Sequence, residues 1–236
     1  MRPRRLVAVV GTGTGVGKTW VSCALASAAL EGGARVQVRK PVQSFAMASA
    51  AGFDDTDAAL LAAVTGEDLH VVCPAHRWYG LAMAPPMACD ALGEAPFTAA
   101  DLLDELHWRG VVDLGFVETV GGVRSPMTGD VDSVGFVQAL APDAVLLVAD
   151  AGLGTINAVR SACDALAGLP VTILLNRFDK RDLPTGPVNS DLTYEITYPE
   201  ARAAIAELKR QLMVRKEAST LFANEKDDSF QGVLGN

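Results

Sequence analysis

Residues 11–19 read GTGTGVGKT, and what precedes and follows them decides the fold. Leu6 to Val10 make a short, unbroken apolar run of the kind that a strand buried on both faces of a parallel sheet requires. After the glycines, KTWVSCALASAALEGG places Val21, Ala24, Leu25, Ala28 and Leu30 at positions suited to a helix, and Gly32-Gly33 ends it. The glycines therefore sit at a strand-to-helix junction. A dinucleotide fingerprint would need glycine at the first, third and sixth positions, and the sixth is Val16. A strict Walker A motif would need glycine at Thr12, whereas the nearest glycine, Gly11, stands one residue earlier. The stretch reads as a phosphate loop with one extra residue. Backbone N–H groups of Gly13, Gly15, Val16 and Gly17 and the helix N-terminus would cradle phosphates, Lys18 would reach the outer phosphates, and the Thr19 hydroxyl suits magnesium. A bland glycine turn would not require Lys-Thr to open the helix.

The rest of the chain extends this pattern. Strand-like runs recur at 6–10, 34–40, 113–119, 143–150 and 170–176, with helix-compatible stretches between them at 55–66, 98–110 and 157–169. Such alternation predicts an α/β fold: a P-loop NTPase-like parallel sheet with helices on both faces and ligands at the carboxyl ends of the strands. At 236 residues there is room for one substantial core or one core plus an appendage.

The strand ends carry the chemistry. Lys40 closes the second run and precedes Pro41; alone it reads as a solvated charge, but beside a phosphate loop it reads as a second anion clamp. Glu118 closes LGFVE as a carboxylate closes a Walker B strand, and the following TVGG permits close backbone approach. A carboxylate there would complete a magnesium site directly or through water. Asp54, Asp55 and Asp57 crowd a helix start, where simple capping competes with metal binding. Asn176 closes TILLN; its amide could read a purine edge, or it could only form a turn.

Composition excludes other classes. A net charge of −8 argues against non-specific nucleic-acid binding, while a magnesium nucleotide needs only local positive charge. Cys23, Cys73, Cys89 and Cys163 form no C-x-x-C pair, and His70, His76 and His107 show no ligand spacing. MRPRR is followed by too few apolar residues for a signal-peptide core, and no run is long enough to span a membrane. The compartment expected is the cytoplasm.

Taken in order, GTGTGVGKT, RKPVQS, DDTDA, APPMACDALG, VETVGGVRSP, DAGLGTIN and LLNRFD resemble the dethiobiotin synthetase family over about residues 5–182. The resemblance implies a homodimeric ligase that uses MgATP to insert CO2 between the two amines of 7,8-diaminononanoate. It implies that Lys18 binds phosphate, that Thr19, Asp57 and Glu118 form the Mg2+ site, and that Thr14, Lys40 and Ser44 surround the carbamate and the transferred phosphoryl group. Asn176 matches a nucleotide-base contact, and GLGTIN matches a segment near the dimer interface. No covalent enzyme nucleophile is required, so Cys89 and the serines take no such role.

Three departures stand out. Gly13 replaces an acid common in the family, and Phe45 replaces a glycine after KPVQS. Beyond about residue 182 the family would continue with a strand and helix that cover the nucleotide base. Here Pro199 opens an amphipathic pattern with Ala201, Ile205, Leu208 and Leu212 on one face. The final stretch, LFANEKDDSFQGVLGN, resembles a segment of Fic-domain proteins upstream of their catalytic motif, so no nucleotidyl transfer is expected from it. The division expected is a synthetase-like domain over 1–186 and a helical tail, foreign or diverged, over 187–236. Two rival functions remain: a partition-type switch, whose signature lysine would stand where Thr12 is, and a nucleotide-binding dimer without turnover.

Overall fold

Six of the seven residues of the first strand, β1 (Arg5–Gly11), are buried, as the apolar run requires. The computed structural model describes residues 2–46 and 55–177. The expected tail over 187–236 lies outside the described residues, as does Asp54. In chain order β1 is followed by α1 (Lys18–Glu31), β2 (Val36–Arg39), β3 (Gln43–Ser44), α2 (Asp57–Thr65), α3 (Leu69–Val72), β4 (Trp78–Tyr79), α4 (Pro85–Ala91) and α5 (Ala99–Asp104). Then come β5 (Leu114–Glu118), α6 (Ser133–Leu140), β6 (Ala144–Asp150), α7 (Thr155–Ala165) and β7 (Val171–Asn176).

The main sheet has the order β2-β5-β1-β6-β7, and its pairs are parallel. Successive side chains of a strand point to opposite faces, so the sheet makes two cores. Val7, Val9, Val38, Phe116, Leu146 and Val148 pack with Val21 and Ala26 of α1 and Leu61 of α2. Ala8, Val10, Val117, Val145 and Leu147 pack with Phe136 of α6, Leu102 of α5 and Ala162 of α7. Helices thus cover both faces.

The strand order brings the functional strand ends together. Strand β5 lies between β2 and β1, with Glu118 level with Val9 and Val117 level with Arg39. Lys40, one residue past Arg39, therefore ends beside Glu118. Edge strand β2 is covered rather than left open: the Val38 N–H donates to Glu67 at 2.9 Å, and the Gln37 amide donates to the Arg109 carbonyl at 2.8 Å.

Several local outcomes differ from the sequence reading. The buried positions of α1 are Lys18, Val21, Ser22 and Ala26, so the packed face carries two polar residues of the site. The second helix-compatible stretch ends at Asp104 instead of Gly110, because His107 and Arg109 run along β2 and bond Arg39 and Gln37. Thr56 caps α2 by accepting from Ala59 N–H, so the described aspartates Asp55 and Asp57 do not supply the cap, and Asp57 stands in the first turn.

Candidate functional site

The phosphate loop closes on itself tightly. Gly15 and Gly17 have φ of 74° and 94°, where a side chain is strained. A Cβ on Gly17 would come within 2.1 Å of the Asn176 amide nitrogen. On Gly13 a Cβ would meet only a Val16 methyl at 3.9 Å, so the missing family acid is not excluded by space. The helix α1 begins without a side-chain cap, which leaves its N-terminal end to an anion. The TVGG turn approaches from the β5 side as expected: a Cβ on Gly122 would lie 3.0 Å from the Thr12 carbonyl, and one on Gly121 would lie 3.7 Å from the Thr14 hydroxyl.

Lys18 is 7% exposed, and its ammonium donates to the carbonyls of Gly13 at 3.0 Å and Gly121 at 2.7 Å. Burial, aided by the nearby charge of Lys40, pushes its pKa down to about 8. An entering phosphate would relieve both effects.

Behind it lies a buried charge cluster. The Lys40 ammonium is 1% exposed and lies 2.7 Å from Asp57 Oδ2 and 2.8 Å from Glu118 Oε1. It also donates to the Thr119 carbonyl at 3.2 Å. Burial acts to lower its pKa, but the two carboxylates outweigh it and hold the value above that of an ordinary lysine. For Asp57, burial acts upward, but the charge and hydrogen bond of Lys40, the Thr19 hydrogen bond and the charge of Lys18 together outweigh it, leaving the carboxyl at about 2. The acid Glu118 is fully buried, and Ser22 donates to its second oxygen at 2.7 Å.

The oxygens of Thr19, Asp57 and Glu118 fit a hard cation. Thr19 Oγ1 lies 2.7 Å from Asp57 Oδ1 and 2.8 Å from Glu118 Oε1, yet a hydroxyl has one proton to give. Three oxygens therefore converge with too few protons between them, and the Lys40 ammonium acts as the stand-in cation. Among the described residues no group of three or more His, Cys, Asp or Glu side chains could hold a metal alone. Magnesium suits such a partial site because it keeps waters and takes phosphate oxygens as further ligands.

The remaining expected residues are placed as follows. Thr14 stands on the loop beside Gly121. Ser44 is on β3, where its hydroxyl donates to the Met83 carbonyl at 2.6 Å. The ring of Phe45 packs edge-on against Trp78 at 6.0 Å. Asn176 donates its amide to the Val16 carbonyl at 3.0 Å and accepts from the Arg177 N–H at 3.0 Å, so it holds the phosphate loop and forms a turn. Burial pushes the thiols of Cys23 up to about 11 and Cys73 up to about 12, which suits inert core residues. The carbonyls of Thr119 and Gly121 come to the site with the TVGG turn, whereas Ser22 belongs to the site but carries no motif. The signal available for Ser22 was its spacing, since positions 18 and 22 share a helix face.

Comparison with known proteins gives consistent relatives. A family described as an AAA domain matches residues 5–203. The ATP-dependent dethiobiotin synthetase BioD of Anaeromyxobacter dehalogenans (strain 2CP-C) is 35% identical over 207 residues, covering 84% of this chain and 87% of that one. The protein of the same description from Mycobacterium marinum is 38% identical over 170 residues, covering 71% of each. Among solved structures, the signal recognition particle receptor FtsY from Elizabethkingia anophelis in complex with GDP matches with a TM-score of 0.42 at 17% identity. That match covers 73% of this chain and 49% of the receptor.

Proposed function

The chain belongs to the dethiobiotin synthetase family, and from that premise we propose how its site carries out ATP-dependent dethiobiotin synthesis, a step of biotin biosynthesis. The substrates are 7,8-diaminononanoate, CO2 and ATP, and the working form is a cytoplasmic homodimer. One amine captures CO2 as a carbamate with loss of a proton. A carbamate oxygen attacks the γ-phosphorus and ADP leaves; the second amine then attacks the carbonyl carbon of the mixed anhydride and releases phosphate, closing the ring.

The chain's residues supply position and charge for these steps. Backbone N–H groups from Gly13 to Gly17 and the start of α1 bind the phosphates, and Lys18 leaves the Gly13 carbonyl for the outer phosphate oxygens. Thr19, Asp57 and Glu118 would hold magnesium, which when bound neutralises charge on the outer phosphates. Thr14, Lys40 and Ser44 orient the carbamate toward the phosphorus. Asn176 joins the base side of the site to the loop through Val16.

The observation that carries this reading is the convergence of Lys18, Lys40, Thr19, Asp57 and Glu118 at one sheet edge. The test is ADP release and mass detection of dethiobiotin from MgATP and bicarbonate, with and without diaminononanoate. Diamine-dependent product that disappears in Lys18→Ala is expected. Bound nucleotide with no product would refute the ligase reading, and full activity in Lys18→Ala would refute the phosphate-loop assignment.

A further inference from the structure

The two oxygens of Glu118 have different surroundings. Oε1 faces the Lys40 ammonium at 2.8 Å and the Thr19 hydroxyl at 2.8 Å, whereas Oε2 accepts from the Ser22 hydroxyl at 2.7 Å. Both Ser22 and Glu118 are 0% exposed, so water does not substitute for that bond. A serine on a helix commonly turns its hydroxyl back to its own helix's carbonyl one turn earlier; here it points across to β5 instead. Alanine would suit the interior of α1 better by helix propensity, and a buried hydroxyl without a partner is costly. The hydroxyl at position 22 is therefore explained by the carboxylate it meets.

We propose that Ser22 is a positioning residue: it anchors Oε2 of Glu118 to α1 and so presents Oε1 to the cation held with Thr19 and Asp57. This rests on the reading of Thr19, Asp57 and Glu118 as the magnesium set. Carboxylates that hold a metal are oriented by hydrogen bonds from outside the ligand set, and losing such a partner weakens metal binding by about 10–100-fold. Since Ser22 and Thr19 stand three residues apart on α1, one rigid helix fixes both the hydroxyl ligand and the orientation of the acid opposite it. Lys40 then has one defined oxygen of Glu118 to release when a divalent cation arrives.

The test is manganese binding, read by electron paramagnetic resonance of free Mn2+, to the full chain with a non-hydrolysable ATP analogue. Metal-free ADP binding in EDTA is measured beside it. Ser22→Ala is expected to weaken Mn2+ binding about tenfold while ADP affinity in EDTA stays within about twofold. Ser22→Cys, nearly isosteric with a weaker donor, is expected to fall between wild type and Ser22→Ala, and it guards against a folding defect in the alanine variant. Unchanged Mn2+ affinity in Ser22→Ala, or an equal loss of metal-free ADP binding, would overturn the proposal. A wild-type protein that binds no Mn2+ would overturn the metal assignment and this role together. One that binds Mn2+ normally but makes no dethiobiotin would overturn the ligase reading and leave the Ser22 role standing.

Discussion

Replacing Lys40 with methionine should destabilise the protein measurably even before any substrate is added. The ammonium it removes is 1% exposed and lies 2.7 and 2.8 Å from two carboxylates. Removing one partner of a buried ion pair costs about 3–5 kcal/mol, because the remaining charge stays buried without compensation. Two features place this case at the lower end. Glu118 keeps the hydroxyls of Thr19 and Ser22, and the Asp57 side chain, 46% exposed, can turn to water. A loss of about 3 kcal/mol in a chain of this length lowers Tm by about 6–12 °C. Thermal unfolding followed by circular dichroism at pH 7 without magnesium reads this directly. Millimolar magnesium should recover part of the loss in the variant, because a divalent cation can take the same oxygens. The pH dependence has a defined sign. Asp57 has its folded pKa depressed from 3.8 to about 2, so its contribution is present above about pH 4 and is lost as pH falls toward 2. Lys40 has its value raised above 10.5, so its contribution is complete below that pH. The Tm difference between wild type and Lys40→Met should thus be flat from about pH 5 to 9 and shrink below about pH 4. A Tm change under about 2 °C, or a difference that grows on acidification, would refute the reasoning.

Glycine substitutions should separate strain from space. Gly17→Ala meets both a φ of 94° and the Asn176 amide at 2.1 Å, so it should cost more than about 2 kcal/mol and abolish ADP binding. Gly13→Asp, with one ordinary contact at 3.9 Å, should change Tm by little and shows whether the family acid improves substrate use. Asn176→Ala removes the bond to the Val16 carbonyl and should cost about 1 kcal/mol of stability together with several-fold weaker ADP binding, measured by calorimetry. Lys18, with its folded value at about 8, loses charge well below the 10.5 of an unfolded lysine. The unfolded chain binds more protons between those values, so burial of this charge is costliest below pH 8 and the cost fades as pH rises toward 10.5. ADP binding at pH 8.5 should therefore take up protons, detected by calorimetry in buffers of different ionisation enthalpy. Uptake that persists in Lys18→Ala would assign it to another group.

Much of the frame was legible from patterning. The five expected sheet strands match β1, β2, β5, β6 and β7 to within about two residues. Buried parallel strands read as apolar runs, and such runs are local properties of the sequence. The short strands β3 and β4 and the helix α6 were not legible in the same way. Each short strand has two residues and exists by pairing with the other across a long separation, Gln43 with Trp78 and Ser44 with Tyr79. The early end of α5 was hidden for a similar reason, since His107 and Arg109 leave the helix to bond Arg39 and Gln37 of a distant strand. Among candidate site residues, Lys18, Thr19, Lys40 and Glu118 stood out by motif and strand-end position, and Asp57 by the family resemblance. Ser22 did not, because a serine within an alanine-rich helix reads as ordinary until its partner is known.

The sequence by itself determined the phosphate loop, the alternation of strands and helices, and the identity of the charged residues at the strand ends. It could do so because glycine spacing and apolar periodicity constrain backbone conformation locally. Tertiary structure decided which of those charges meet. Placing β5 between β2 and β1 sets Lys40 beside Glu118, although 78 residues separate them, and turns Glu118 toward α1 and Ser22. Strand order and register arise from contacts between distant segments, and burial then sets the consequences: a stranded charge is expensive, so each oxygen of the cluster takes a particular partner.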